Sequence, residues 1–297
     1  MPFFNFILQI SFILFALNFF KNTKIMEMLK DFDKAVKNIR YELSKYIKKN
    51  GLKSLVIGLS GGIDSALTAA LAFKVCSELN IPLIGRSLTI ESNKPDERHR
   101  AELIGNSFTH DFKEIDLTDA YLKLRPLVVE DMANEDSDSH NFKIRMGNIK
   151  ARIRMIYLYE LAAKNKAMVL STDNYTELLL GFWTLHGDVG DYGMIQQLWK
   201  TEVYQMSQFL ADTECNTDQK KALSMCIKAL PTDGLGITNS DLDQLQASSY
   251  EEVDKILIQY LETKDKNLEK HPVIQRHLKS EYKRKNPLNL PRETFFK

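Results

Sequence analysis

Residues 55–73 restrict this chain to a small set of folds. The apolar run Leu55-Val56-Ile57-Gly58-Leu59 leads into Ser60-Gly61-Gly62-Ile63-Asp64-Ser65-Ala66, and a second apolar stretch, Leu67 to Phe73, follows at once. This order reads as strand, tight turn and helix N-terminus. Two adjacent glycines let backbone amides converge where a Cβ would intrude. The first helical turn adds unpaired N–H groups and the positive end of its dipole. Phosphate fits such a place. The segment lacks the Lys-Ser/Thr ending of a P-loop, which argues against γ-phosphoryl transfer of that kind. It carries Asp64 instead, and a carboxylate beside bound phosphates acts chiefly as a ligand for Mg²⁺. The alternative is a plain serine–glycine turn opening a helix.

The rest of the chain repeats the alternation. Residues 31–49 have Phe32, Val36, Ile39, Leu43 and Ile47 near helical spacing. A second strand is predicted within 81–90, a charged helix over 94–107 and a short strand ending near Ile115-Asp116. A longer helix is expected from Ile144 to Lys164 and another buried strand over 167–171. Strands alternating with helices predict an α/β fold, a mostly parallel sheet with helices on both faces. Ligands of such sheets collect beyond the carboxyl ends of the strands, where the glycine turn lies. Residues 130–140 and 231–247 are polar and turn-rich, and from about 199 onward the chain reads as helices and loops.

A formal charge of +1 over 297 residues offers no electrostatic case for nucleic acid. Cys76, Cys215 and Cys226 are too few for a disulfide framework or a cysteine-rich metal site, so a reducing, cytoplasmic setting is expected. The N-terminus stands apart. Residues 3–20 are almost wholly aromatic and aliphatic, about the minimum length for a spanning helix. No Lys or Arg precedes them and no small-residue cleavage site follows, so a secretory signal fits poorly. Three readings remain: translation starting at Met26 or Met28, a membrane anchor, or a packed terminal helix. The expected division is an apolar extension over 1–25 and a catalytic domain over 26–297, with membrane contact only if residues 3–20 are translated and inserted.

Two further stretches could carry chemistry. Thr172, Asp173 and Glu177 crowd the end of the strand over 167–171, and Glu177 is expected to share a cation with Asp64; ordinary helix capping is the alternative. Gly181 to Gly193 combines four glycines, Asp188 and Asp191 with three aromatics, which suits a loop covering a planar ligand. His186 reads as pocket lining or surface. Arg145, Asn148 and Arg152 could present an anion-binding edge, with Met146, Ile149, Ile153 and Ile156 facing the core. Lys200 and the basic run Lys279, Lys283, Arg284, Lys285 are weaker signals, since charge runs near chain ends usually face solvent.

Taken in order, these segments resemble the ammonia-dependent NAD synthetases, within the adenine-nucleotide pyrophosphatases that use an SGG-x-DS loop. The matching segments are SGGIDSA at 60–66, GNIKARIRM at 147–155, STDNYTE at 171–177, GFWTLHGDVGD at 181–191, LWKTEVY at 198–204, PTDGL at 231–235, SYEEVD at 249–254 and KSEYKR at 279–284. The resemblance implies a Rossmann-like ATP pyrophosphatase fold, with ATP and Mg²⁺ as cofactors and nicotinic acid adenine dinucleotide and ammonia as substrates. It implies that Ser60, Gly61, Gly62, Asp64 and Ser65 hold ATP phosphates, and that Asp64 and Glu177 coordinate Mg²⁺. Arg86 and Thr172 would border the adenosine. Asp188, Asp191, Lys200, Thr232 and Lys283 would surround the dinucleotide and its reacting carboxylate. Asp188, Lys200 and Thr232 would be catalytic, the last two as a phosphate-stabilising pair. A homodimer is implied as well.

Several acceptor-side positions depart from the family pattern. Tyr282 stands for a histidine, Leu242 and Gln244 stand for glutamates, and the loop after Asp188 is one residue shorter. A related ligase with another carboxylate acceptor is therefore the competing enzyme, and a nucleotide sensor that keeps only the ATP half is the non-enzymatic alternative. A tRNA-modifying relative should show a basic surface, which the balanced composition does not offer. No glutaminase module is visible, so free ammonia or ammonia from a separate partner is the expected nitrogen source.

Overall fold

The computed structural model describes residues 27–296 apart from 92–93, 131, 189 and 231–240. The apolar stretch 3–20, the boundary expected after residue 25 and Thr232 lie outside the described residues. Among the described residues, no helix is long and apolar enough to cross a membrane.

Helix α1 (Phe32–Asn50) forms where the amphipathic spacing predicts it. Asp31 accepts the Lys34 N–H at 2.9 Å to start it, and Gly51 ends it in the left-handed region. Next come β1 (Ser54–Gly58), α2 (Ile63–Leu79), β2 (Leu83–Thr89), α3 (Pro95–Phe108) and β3 (Asp111–Asp116). These strands step outward in one direction from β1. The fourth strand, β4 (Ala167–Val169), adds to the other side of β1, so the order is β3-β2-β1-β4 with every pairing parallel.

Both faces of this sheet are covered, and the pleat decides which residues go where. Leu55 and Ile57 turn to one face, where they join a core that includes Ala66, Leu67, Leu71 and Ile104 of α2 and α3. Val56 turns to the other, with Ile84 and Val169, against Leu158 and Ala162 of α5 (His140–Lys164). The result is the doubly covered parallel sheet expected from the alternation. Helix α2 is apolar on nearly all sides because α1, α3, α7 (Lys200–Thr213) and α8 (Thr217–Lys228) enclose it. A second cluster forms around α6 (Tyr175–Leu180), α9 (Asp241–Leu245), α10 (Tyr250–Thr263) and α11 (Pro272–Lys279), where Leu180, Trp199, Leu245, Val253, Leu257 and Ile274 meet.

Three local expectations are corrected. Helix α5 starts four residues before Ile144, because Ser139 accepts the Phe142 N–H at 3.2 Å and caps a polar first turn. Helix α4 (Thr118–Val128) forms where no element is predicted; Pro126, inside its last turns, disguises it. Ile156 is 60% exposed rather than in the core.

Winding in opposite senses from β1 leaves a crevice beyond the carboxyl ends of β1 and β4, the place where ligands of open α/β sheets bind. Gly61 shapes the turn there. Its φ is +81°, and a Cβ would meet the Glu97 carbonyl oxygen at 2.2 Å. Gly51 also has positive φ but nothing within 4 Å. Gly51→Ala is thus expected to cost about 1 kcal/mol and Gly61→Ala about 2–4 kcal/mol, because backbone strain and a backbone clash add. Urea unfolding of both variants checks this; equal losses would show that the approach to α3 is not rigid.

Candidate active site

A cavity of about 440 Å³ opens in this crevice. It is lined by Ser60, Gly62, Asp64 and Ser65 of the first loop and by Thr172, Asp173 and Glu177 after β4, with Arg86, Asp188, Lys200 and Lys283 around them. The turn is held by its own hydroxyls: Ser65 Oγ accepts the Ser60 N–H at 3.3 Å and donates to the Gly62 carbonyl at 3.1 Å. Gly61 supports the loop from beneath, its carbonyl accepting from Arg100 Nε at 2.8 Å. Gly62 precedes the first turn of α2, so the N–H groups of that turn face the cavity end of the helix.

At the back of the cavity Lys200 Nζ lies 2.5 Å from Asp64 Oδ2 and 3.1 Å from Glu177 Oε1. Its side chain is 5% exposed, and the Tyr250 ring centroid lies 5.3 Å from the ammonium. Asn174 ties the two acids together. Its Nδ2 donates to Asp64 Oδ1 at 2.8 Å, and it forms a reciprocal cap with Glu177 at the start of α6. Glu177 therefore caps a helix and faces Asp64 at once, so the two readings of this residue are compatible.

Electrostatics follow from this crowding. Burial acts to lower the Lys200 pKa, but Asp64 and Glu177 outweigh it and hold the ammonium well above its ordinary range. Burial and then the Asp64 charge push Glu177 up to about 7, with Lys200 pulling back. Burial, then Glu177 and Asp188, also raise Asp173 well above an ordinary carboxylate. Two carboxylates already share one cationic centre, the Lys200 ammonium, and hard oxygen donors suit Mg²⁺. That ion commonly takes one or two protein carboxylates and completes its shell with phosphate and water. The donor set fits. Among the described residues no group of three or more acidic, histidine or cysteine side chains forms a closed metal site.

The other predicted residues divide. Arg86 is buried beside the cavity, donating to the Gly85 and Asp111 carbonyls and to Asp111 Oδ2 at 2.7 Å, while its Nε has no partner among the described residues. Thr172 lines the cavity. Asp188 does too, and its Oδ2 accepts the Thr184 N–H at 2.7 Å. Lys283 reaches back from α12 (Glu281–Arg284) to the Gly181 and Trp183 carbonyls at 2.8 and 2.5 Å. Asp191 and Gly61 are not among the lining residues. The Asp191 carboxylate takes the Val169 N–H at 2.8 Å and the Tyr159 hydroxyl at 3.0 Å, bracing the loop against β4 from behind.

The profile of the NAD synthase family matches residues 35–287 of this sequence. The chain belongs to that family. It is 32% identical over 252 residues to an NH(3)-dependent NAD(+) synthetase of Pelodictyon phaeoclathratiforme, covering 84% of this chain and 82% of that one. A second such synthetase, from Fusobacterium nucleatum, is 30% identical over 264 residues, 86% of this chain and 96% of the relative. In fold, the chain is similar to the NMN synthetase structure from Francisella tularensis, with a TM-score of 0.73 at 24% identity over 88% of this chain and 99% of that one.

Segments of the family pattern at 60–65, 172–177, 181–188, Lys200 and Lys283 thus meet around one cavity, but not every expectation about their neighbours holds. Arg284, expected in solvent, donates to the Leu179 and His277 carbonyls at 2.5 and 2.8 Å. Arg145, Asn148 and Arg152 do line a small cleft on α5, yet Asn148 also takes the Thr184 hydroxyl at 2.8 Å in the main cavity and Arg145 pairs with Glu135. His186 is exposed, with φ +57°. Tyr282 is 63% exposed and does not line the cavity, while Leu242 packs against the second core cluster. Asn174 and Arg154 are functional candidates that the sequence alone does not single out. Arg154 lines the cavity and donates to the Leu88 carbonyl at 3.0 Å. The STDNYTE segment could have pointed to Asn174, as an N-cap three residues before a glutamate.

A raised Glu177 pKa has a definite sign for stability. The folded state holds its proton up to about pH 7, the unfolded chain only to about the ordinary 4.5, so stability declines as pH rises through that window. Glu177→Gln should abolish this decline and leave the ligand-free protein about 1–3 kcal/mol more stable than wild type at pH 8, relative to the difference at pH 4.5. Thermal melts at both pH values measure it. A pH-independent difference would mean that Glu177 is not desolvated.

Proposed function

We propose that this chain joins ammonia to the carboxylate of nicotinic acid adenine dinucleotide, giving NAD, AMP and pyrophosphate from ATP. The observation that carries this reading is the meeting, in one cavity, of a glycine turn at a helix N-terminus with Asp64, Glu177 and Lys200, in a chain of the NAD synthase family. It is a carbon–nitrogen ligase that binds ATP and works through an adenylylated intermediate.

In this reading Ser60, Gly62, Ser65 and the first N–H groups of α2 hold the β- and γ-phosphates, with Gly61 shaping the turn. Arg86 and Thr172 border the adenosine, and the partnerless Arg86 Nε supplies a donor there. Asp64 and Glu177 would hold Mg²⁺, which when bound neutralises phosphate charge. A nicotinate carboxylate resists ammonia because neither oxygen can leave. One of its oxygens attacks the α-phosphorus, and the bond from phosphorus to the bridging oxygen of pyrophosphate breaks. Lys200 places its charge where the crowded phosphorus gathers negative charge, and Thr232 is assigned the neighbouring contact. Ammonia nitrogen then adds to the activated carbonyl beside Asp188, a proton is lost, and the C–O bond to AMP breaks. Lys283 fastens the Gly181–Gly193 loop, which keeps water from the adenylate. Asp191 acts on the same loop from behind.

A homodimer belongs to this reading, supported by the exposed apolar side chains Leu127, Val128 and Ile156 on α4 and α5. So does a catalytic unit starting at residue 26, in a cytoplasmic setting with free thiols. The backbone is tied down from Leu29 onward, whose N–H donates to Glu202 at 2.7 Å. Removing residues 1–25 should leave a folded, active protein; loss of the cooperative melt would show the segment to be structural.

The deciding assay supplies ATP, Mg²⁺, ammonia and nicotinic acid adenine dinucleotide and follows products by chromatography. NAD, AMP and pyrophosphate should appear in equal amounts, and stoichiometric ADP would rule the scheme out. The mononucleotide is run beside the dinucleotide, because the Francisella protein of similar fold is called an NMN synthetase; preference for it would change the acceptor and leave the adenylation. Asp64→Ala should lower turnover at least about a hundredfold, as loss of a charged group at the reacting phosphates does. Lys200→Ala should depress kcat more than it raises the ATP KM.

A further inference from the structure

The SYEEVD segment holds a buried acid that the proposed chemistry leaves without a task. We propose that Asp254 is a positioning residue: by holding Thr176 and Thr201 it sets Lys200 against Glu177 and Asp64. The inference rests on the functional reading above for the importance of those three groups, and on geometry for the rest.

Asp254 is 2% exposed on α10 and does not line the cavity. Its Oδ1 accepts from Thr176 Oγ1 at 2.5 Å, and its Oδ2 accepts from Thr201 Oγ1 at 2.7 Å and the Thr201 N–H at 2.9 Å. Thr176 Oγ1 in turn accepts the Lys200 N–H at 2.9 Å. Thr176 precedes Glu177 on α6, and Thr201 follows Lys200 on α7. One carboxylate therefore links α6, through the Thr176 hydroxyl beside the acid, to the α7 backbone beside the ammonium. Tyr250, one helical turn earlier on α10, brings its ring to the ammonium itself. Helix α10 thus grips Lys200 at both its backbone and its charged end.

A helix-packing contact alone would not call for this arrangement. Val253 and Leu257 already join α10 to the second core cluster, and a buried polar network replaced as a whole by well-packed apolar side chains often loses no stability. What an acid adds is direction, because each of its oxygens fixes a donor within a few tenths of an ångström. Near-attack geometry is that sensitive.

The test uses the full chain and two readouts, lysine acetylation followed by mass spectrometry and steady-state kinetics. Lys150 is buried on α5, where its ammonium pairs with Glu91, and serves as the control. Asp254→Asn should raise Lys200 labelling about tenfold while leaving Lys150 unchanged, and lower kcat about ten- to a hundredfold with the ATP KM within about threefold, the range expected for one lost charged hydrogen bond. Thr201→Val should share both effects, and Thr201→Ser, which keeps the hydroxyl, should restore them; this pair decides the matter alone if Asp254→Asn does not fold. Labelling that rises equally at Lys150 and Lys200, or that stays unchanged at Lys200, overturns the proposal. If wild-type protein forms no amide, the functional reading fails, and the labelling comparison still decides whether Asp254 positions Lys200.

Discussion

The contact of the Lys200 ammonium with Asp64 and Glu177 is the constraint around which this structure is organised. Two carboxylates pressed together in a half-buried crevice repel each other and lose hydration, each a cost of several kcal/mol if uncompensated. One ammonium compensates both. The arrangement needs three chain segments to arrive together: the turn after β1, the first turn of α6 and the first turn of α7. Asn174 and Asp254 hold those segments through backbone and side-chain hydrogen bonds, and the second core cluster packs behind them. The C-terminal helices are therefore part of the site's scaffold, although they lie outside the sheet.

The same contact explains why a cation and a lysine can share one location without contradiction. Asp64 and Glu177 present oxygens to a positive charge, and the cavity is open toward the glycine turn where phosphates would sit. Under the proposed function, an arriving phosphate would offer Lys200 a new acceptor, and the two carboxylates would then be free to hold a divalent ion. In either arrangement each of the two acids would face a positive charge.

How much of this was legible in the sequence depends on the reach of each signal. The sheet and its coverings could be read because strand and helix periods are local, and the glycine turn because Gly61 and Gly62 sit between them. The roles of Asp64 and Glu177 could be suggested because both end apolar strands on one edge. Their bridging by Lys200 could not, since that lysine is 136 residues from Asp64 and stands in an ordinary helix start. Asp191 shows the opposite difficulty: an aspartate in a glycine-rich loop looks the same whether it faces a ligand or braces a strand N–H. Arg284 and Lys283 looked like a solvated run, and only the fold shows them turned onto backbone carbonyls. Helix α4 was hidden by a single proline.

The distances in sequence also set a schedule. A chain made N-terminus first at roughly 5–20 residues per second would complete the turn bearing Asp64 well before Lys200 is added. The 136-residue gap corresponds to roughly 7–27 seconds. A further 53 residues separate Thr201 from Asp254. During that interval the nascent sheet carries an acid in a crevice with no lysine to meet it. Contacts this far apart form late and contribute little to the speed of folding, but they slow the reverse process. The charged centre is thus finished late, and its lifetime depends on how long α7 and α10 stay docked.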